Sequence, residues 1–179
     1  MNEYLDRPYS DPRAEPVPWS RAQSRLADAE VAWIVTVQPD GRPHATPMVP
    51  VSDGGVVYFH TGSAEVKHAN MTANPHVLVL AGDTSWDRGL DVALEGTVSV
   101  VTDDAVLSRL AQRYRKRWDG RWQLEVRDGS VTNPTSDSEL VMFRVTPTRA
   151  SAHDKGDPIG QTTYPRPPAG HDAPEGADT

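Results

Sequence analysis

The chain has 179 residues, a formal net charge of −7 and no cysteine. This length suits one domain with a buried core, and the missing cysteine excludes disulfides, thiolate metal sites and a cysteine nucleophile. The acidic balance argues against non-specific nucleic-acid binding. No segment is apolar over the length that a bilayer requires, and the N-terminus lacks the basic and apolar regions of a signal peptide. We therefore expect a cytoplasmic protein.

The two ends of the chain differ in composition from its middle. Residues 1–18 carry four prolines among charged residues, and residues 165–179 consist mainly of Pro, Gly, Asp and Ala. Neither segment has enough apolar surface to offset the entropy lost on ordering. We predict a flexible N-terminal arm over residues 1–18, a folded domain over residues 19–164 and a disordered C-terminal tail over residues 165–179.

Apolar alternation predicts that most of the folded domain consists of strands. They cover residues 31–37, 43–51, 56–61, 76–81, 90–101, 139–146 and a short piece around Ala150. Three prolines indicate that the second strand is an edge strand or a bulged strand, and Gly96 marks a bulge or a bend. Helices are predicted from a capping box at Ser20, from Ser63, and from Thr102 or Asp103 to about Trp118. Six or seven strands joined by hairpin turns favour a mainly β, antiparallel barrel with appended helices.

The turn Thr61-Gly62-Ser63 lies between a predicted strand and a predicted helix. If Ser63 is the N-cap, Lys67 and Asn70 follow at intervals of one helical turn, so a hydroxyl, an ammonium and an amide lie near free backbone N–H groups. Such a place suits a phosphate. The same pattern also fits an ordinary capped turn with a solvated Lys67.

Other candidate groups give weaker signals. The basic run Arg113, Arg115, Lys116 and Arg117 complements the dipole at a helix C-terminus, but it could also attract an anionic cofactor tail. The histidines lack the i,i+4 spacing of common zinc motifs, so no metal site is predicted. No Gly-x-Ser-x-Gly elbow occurs, which disfavours hydrolase chemistry.

The order and spacing of several motifs resemble the pyridoxamine 5′-phosphate oxidase-like split β-barrels, a family with FMN-binding and deazaflavin F420-dependent members. The resemblance covers roughly residues 19–166. The motifs are residues 32–37 with 40–44 and 46–48, residues 57–63 with Lys67 and Asn70, residues 94–97, Lys155-Gly156 and residues 161–164.

The resemblance implies a six- to seven-stranded split β-barrel that forms a homodimer, with a cofactor in a groove at the interface. It assigns the cofactor phosphate to Thr61, Ser63 and Lys67, with Asn70 in support and His60 beside them. It places the cofactor ring along Thr46, Pro47 and Met48. The residues that would close the pocket, on the partner subunit's site, are Gln161, Thr163 and Tyr164.

One departure bears on function. True pyridoxamine phosphate oxidases carry an arginine-rich motif on the second strand, where this chain has residues 44–48 without arginine. The resemblance therefore implies an oxidoreductase that transfers a hydride between bound F420, or FMN, and a small organic substrate. Tyr164 and His60 are the candidates for a proton donor. The alternatives are a non-catalytic flavin- or haem-binding carrier and a barrel whose turn binds nothing.

Overall fold

The computed structural model describes residues 3–135, 138–168 and 170. These residues form eleven strands, three α-helices and one 3₁₀ helix. The helices are the 3₁₀ helix Arg7–Tyr9, α1 (Trp19–Ala27), α2 (Val66–Ala73) and α3 (Asp104–Arg117). The strands are β1 (Tyr4–Leu5), β2 (Ala32–Val37), β3 (Pro43–Met48), β4 (Val51–Asp53), β5 (Val56–Gly62), β6 (His76–Ala81), β7 (Leu90–Val100), β8 (Glu125–Arg127), β9 (Ser130–Asn133), β10 (Ser138–Asp154) and β11 (Gly160–Tyr164).

All strand pairings are antiparallel, and the main path through the sheet runs β1-β11-β10-β7-β6-β2-β3. Strands β4 and β5, and the hairpin of β8 and β9, branch from the first half of β10. The predicted mainly β split barrel with appended helices is confirmed. The sequence-based count of strands missed the short ones, including the β8–β9 hairpin.

Strand β10 is continuous through Pro147, where the sequence pattern predicted a break. Pro147 pairs with Gly96, and Arg149 pairs with Glu95, so β10 carries one extra residue at this point. A bulge of this kind accommodates the missing N–H of proline without ending the strand. The predicted irregularity at Gly96 is therefore confirmed, and the predicted separation of β10 into two strands is wrong.

Strand β5 separates two hydrophobic clusters. Phe59 belongs to the cluster inside the sheet, with Ile34 and Phe143, whereas Tyr58 belongs to the cluster under α3, with Leu110. Successive side chains of a strand point to opposite faces, so both faces of β5 are buried. The turn that follows β5 therefore begins from a strand fixed on both sides.

Only one of the predicted helix caps is correct. Asp103 caps α3, because its Oδ1 accepts the N–H groups of the second and third helical residues at 2.8 and 3.1 Å. Helix α1 begins one residue before Ser20, and the carboxylate of Glu3 accepts its first N–H at 2.7 Å, so the capping box at Ser20 does not form. The N-cap of α2 is Glu65 and not Ser63.

The segment predicted to be a flexible arm contacts the domain where the structure describes it. Strand β1 pairs with β11, Ala14 and Val17 are buried, and the Val17 N–H donates to Thr162 Oγ1 at 2.9 Å. Most of the predicted C-terminal tail, residues 171–179, lies outside the described residues. None of the helices in the described part of the chain has the length and apolar character needed to cross a bilayer.

Substitution of Gly96 tests the bulge. A Cβ at this position would lie 2.6 Å from the Thr146 carbonyl oxygen and 3.0 Å from Val145 Cγ1. We expect Gly96→Ala to lower the free energy of unfolding by about 1–3 kcal/mol, because the close backbone contact must open. Urea denaturation measures the change.

Gly156→Ala is the matched control, since the nearest atom to its Cβ would be Asp154 Oδ1 at 3.7 Å. Equal stability of the two variants would contradict the account of the bulge.

Candidate functional site

The turn between β5 and α2 holds a carboxylate at its centre. Glu65 Oε1 accepts the N–H of Gly62 at 2.8 Å, and Glu65 Oε2 accepts a hydrogen bond from Lys67 Nζ. Ser63 is exposed, and its hydroxyl donates to Glu139 Oε2 at 3.3 Å. The structure thus brings the predicted hydroxyl and ammonium groups to one turn, but places two carboxylates beside them that the sequence analysis did not consider.

Lys67 and Asn70 lie on the buried face of α2, with 8% and 3% of their surface exposed. Asn70 Nδ2 donates to Thr36 Oγ1 at 2.9 Å, and the Thr36 hydroxyl donates to the His44 carbonyl oxygen at 3.3 Å. These bonds attach α2 to β2 and β3. The alternative of a solvated Lys67 is therefore wrong.

The Glu65 carboxyl remains ionised at neutral pH. Burial raises its pKa, but hydrogen bonds from Lys67 and from the Gly62 N–H lower it more, so the net pKa lies below the ordinary value for Glu. The Thr61 hydroxyl is buried beside this turn and makes no hydrogen bond. The turn therefore contains a buried cation that already has an anionic partner.

Strand β3 carries unsatisfied polar groups next to this turn. His44 Nδ1 and Thr46 Oγ1 are buried and make no hydrogen bond. A buried polar atom without a partner costs about 1–3 kcal/mol, so such atoms indicate a place for a ligand or water. β3 also ends the sheet path, so one edge of its backbone has no strand partner among the residues described. These features fit a ligand with a phosphate and a polar ring edge.

His60 lies on the other face of β5 from Thr61, because neighbouring residues in a strand alternate. Its ring packs 5.0 Å from that of Tyr114 and 5.1 Å from that of Trp122, measured between centroids. Burial lowers the pKa of His60 to about 4. The imidazole is therefore neutral at pH 7, which does not suit a general acid.

Tyr164 and Gln161 make contacts within the protomer. Tyr164 is fully buried, and its hydroxyl donates to the Val17 carbonyl oxygen at 2.6 Å; burial raises its pKa. Gln161 Nε2 donates to Asp6 Oδ2 at 3.2 Å. The phenol that the sequence suggested as a proton donor is thus part of the core.

The basic cluster of α3 lies at the opposite end of β5 from Gly62. Three of its residues, Arg113, Lys116 and Arg117, line a cavity of about 670 Å³ beside the turn that precedes Val56. Seven residues of extended chain separate the two turns by about 20 Å. Arg113 pairs with buried Asp53 at 2.5 Å, and Arg117 donates to the Ala29 carbonyl oxygen at 2.8 Å. The cluster therefore does not adjoin the β5–α2 turn within the protomer.

Pro47, a predicted ring contact, and Thr163, a residue predicted to close the pocket, both lie on the outer face of the sheet, far apart. Cross-strand neighbours form one row across six strands: Pro47, Trp33, Leu80, Ala93, Ser151 and Thr163. Trp33 and Leu80 are 50% and 36% exposed. Five strand spacings place Pro47 and Thr163 about 24 Å apart along the sheet. They cannot contact the same small ring in one protomer. The inward-facing Thr46 and Met48 belong to the other face.

A sequence profile of the pyridoxamine 5′-phosphate oxidase family matches residues 19–154. This match runs from α1 to the end of β10 and leaves out β1 and β11. The chain belongs to the pyridoxamine 5′-phosphate oxidase-like family. No curated protein sequence matches it significantly.

Solved structures with the same fold include members of different function. An F420 reductase is 28% identical, with a TM-score of 0.53, over 75% of this chain and 98% of its own. An FMN-binding protein related to pyridoxamine 5′-phosphate oxidase, from Nostoc punctiforme, is 16% identical, with a TM-score of 0.56, over 87% and 94%. A haem-binding protein from Mycobacterium smegmatis is 15% identical, with a TM-score of 0.61, over 84% and 59%. The last two are similar in fold alone.

The polar groups described above lie at the β5–α2 turn and along β3. Within the described residues, no group of three or more His, Cys, Asp or Glu side chains is arranged to hold a metal ion. The candidate site of this family member therefore consists of Thr61, Lys67 and the turn backbone, together with Thr46 and the free edge of β3.

The buried His60 predicts a pH dependence of stability. Its pKa is about 4 in the folded protein against 6.5 for an unperturbed histidine. Between these values the unfolded chain binds a proton that the folded protein does not, so stability falls as the pH drops. We expect a loss of about 2 kcal/mol between pH 7 and pH 5, measured by urea denaturation.

His60→Gln should remove most of this loss, whatever its effect on stability at pH 7. His76→Gln, which replaces an exposed histidine, should keep the wild-type pH dependence. An unchanged pH dependence in His60→Gln would show that another group is responsible.

Proposed function

We propose that this chain binds F420 or FMN and acts as an oxidoreductase that transfers a hydride between the cofactor and a small organic substrate. The buried Lys67 beside the Gly62 N–H is the observation that carries the proposal. A buried ammonium together with a backbone N–H group of a turn suits a phosphate. Membership of the family and the similarity to an F420 reductase support it.

In this proposal the residues of the chain bind and orient the cofactor. Lys67, Thr61, Ser63 and the Gly62 N–H hold its phosphate, while Asn70 positions α2 through its bond to Thr36. The free edge of β3 meets the polar edge of the ring, next to the unpaired Thr46 hydroxyl. A bound flavin or deazaflavin supplies the hydride chemistry, and the protein contributes orientation and exclusion of water.

The proposed active unit is a homodimer. The outer face of the sheet exposes Trp33 and Leu80 between Pro47, a predicted ring contact, and Thr163, which was predicted to close the pocket. A two-fold dimer uses the same face on both copies, so Pro47 of one copy can approach Gln161 and Thr163 of the partner. This arrangement brings Pro47 of one copy close to Thr163 of the other, although the two residues lie about 24 Å apart along the sheet of one protomer.

A non-catalytic carrier is the second candidate. One observation favours it: neither His60 nor Tyr164 is placed to donate a proton. In the oxidoreductase, the proton therefore comes from water or from the cofactor. Reduction assays separate the two candidates, because an enzyme passes electrons to an acceptor faster than the free cofactor does, whereas a carrier does not.

The phosphate contact is tested by Lys67→Ala. We expect the Kd for the cofactor, measured by fluorescence titration, to rise about 10- to 150-fold, because a charge-assisted hydrogen bond contributes about 1.5–3 kcal/mol. Lys116→Ala removes an equal charge from the distant basic cluster and should leave the Kd unchanged. Binding of neither FMN nor F420 by the wild-type protein would refute the proposed function.

The dimer is tested by Trp33→Glu. A carboxylate in the centre of an apolar interface should convert the dimer to monomers in sedimentation analysis and raise the cofactor Kd at least about tenfold. Val100→Glu replaces an apolar residue of similar exposure, 52%, at the end of β7 and should stay dimeric. A wild-type monomer that binds the cofactor tightly would contradict the shared site.

A further inference from the structure

The carboxylate of Glu65 makes contacts that the proposed site offers to a phosphate. Its two oxygens accept from the Gly62 N–H and from Lys67 Nζ. These are two of the groups assigned above to the cofactor phosphate. A phosphate that binds there must either replace Glu65 as the ion-pair partner of Lys67 or bind Lys67 together with Glu65.

The Glu65 carboxylate can move away from Lys67. Half of its side chain is exposed, whereas only 9% of the Lys67 side chain is. The ammonium therefore stays in place while the carboxylate can swing into solvent, where water replaces its hydrogen bonds. The ion pair thus joins a buried cation and a half-exposed anion, and a phosphate can replace the anion.

The charges at the turn limit the ligand charge that it accepts. Lys67 and Glu65 together are neutral. The carboxylate of Glu139, on β10, accepts a hydrogen bond from Ser63 of the same turn. A phosphate therefore meets one cation and two anions, and its repulsion from the carboxylates grows with its own charge. A phosphomonoester carries nearly two charges at pH 7, whereas a phosphodiester carries one.

We propose that Glu65 selects the cofactor by the charge of its phosphate, and favours a phosphodiester over a phosphomonoester. The inference rests on the proposed function. F420 contains a singly charged phosphodiester, and FMN a phosphomonoester. Glu65 therefore favours F420, independently of the basic cluster on α3, which lies too far from the turn to distinguish the two phosphates.

Glu65→Gln tests the selection, because glutamine keeps an oxygen for the Gly62 N–H and removes only the charge. FMN and F420 are titrated at pH 7.5 by fluorescence against the wild-type protein and the variant. We expect the wild-type protein to bind F420 more tightly. In Glu65→Gln we expect both cofactors to bind more tightly. The ratio of their Kd values should shift about three- to tenfold toward FMN, because removal of the carboxylate relieves more repulsion for the more highly charged phosphate of FMN.

Glu125→Gln removes an exposed carboxylate on β8 and is the charge-matched control; it should leave the ratio unchanged. Melting temperatures confirm that each variant is folded. An unchanged ratio in Glu65→Gln, or a wild-type preference for FMN, would overturn the selection by Glu65 while the Lys67→Ala result still supports the site. If the wild-type protein and Glu65→Gln both bind neither cofactor, the proposed function fails, and the selection fails with it.

Discussion

Strand β10 is the constraint on which the other elements depend. Its first half pairs with β5, which leads into the β5–α2 turn, and its second half pairs with β11. β7 follows it along both halves, and the register changes only where Pro147 faces Gly96. One continuous strand therefore fixes the distance between the β5–α2 turn and the C-terminal segment. Movement of either one requires breaking a long antiparallel ladder.

Much of this fold follows from sequence patterns that act locally. Alternation of apolar residues identifies the long strands, and Asp103 caps α3 because its carboxylate reaches N–H groups within its own turn. The errors occur where a distant segment decides the outcome. Glu3 caps α1 from outside the helix, and Val17 orders the N-terminal segment by bonding to Thr162 on β11. Neither contact has a signature in the residues near it.

The candidate site was predictable to a similar extent. The spacing of Lys67 and Asn70 places both on one face of α2, and the structure buries that face. The positions of His60 and Tyr164 depend on which face of a strand meets which neighbour, and this follows from sheet register and not from spacing. The position of Glu65 at the N-cap of α2 was missed for a different reason. Ser and Asp are the favoured capping residues, so the pattern drew attention to Ser63.

The register of the sheet also decides which residues can share one cofactor. Thr46 lies two residues after His44 on β3, and His44 is joined through Thr36 to Asn70 on α2, so the turn and β3 belong to one local surface. Thr163 is separated from β3 by four intervening strands. No side-chain rearrangement closes that distance, because the strands are hydrogen-bonded to each other throughout. Within one copy of the chain, a small ring on the outer face of the sheet therefore contacts β3 or β11, but not both.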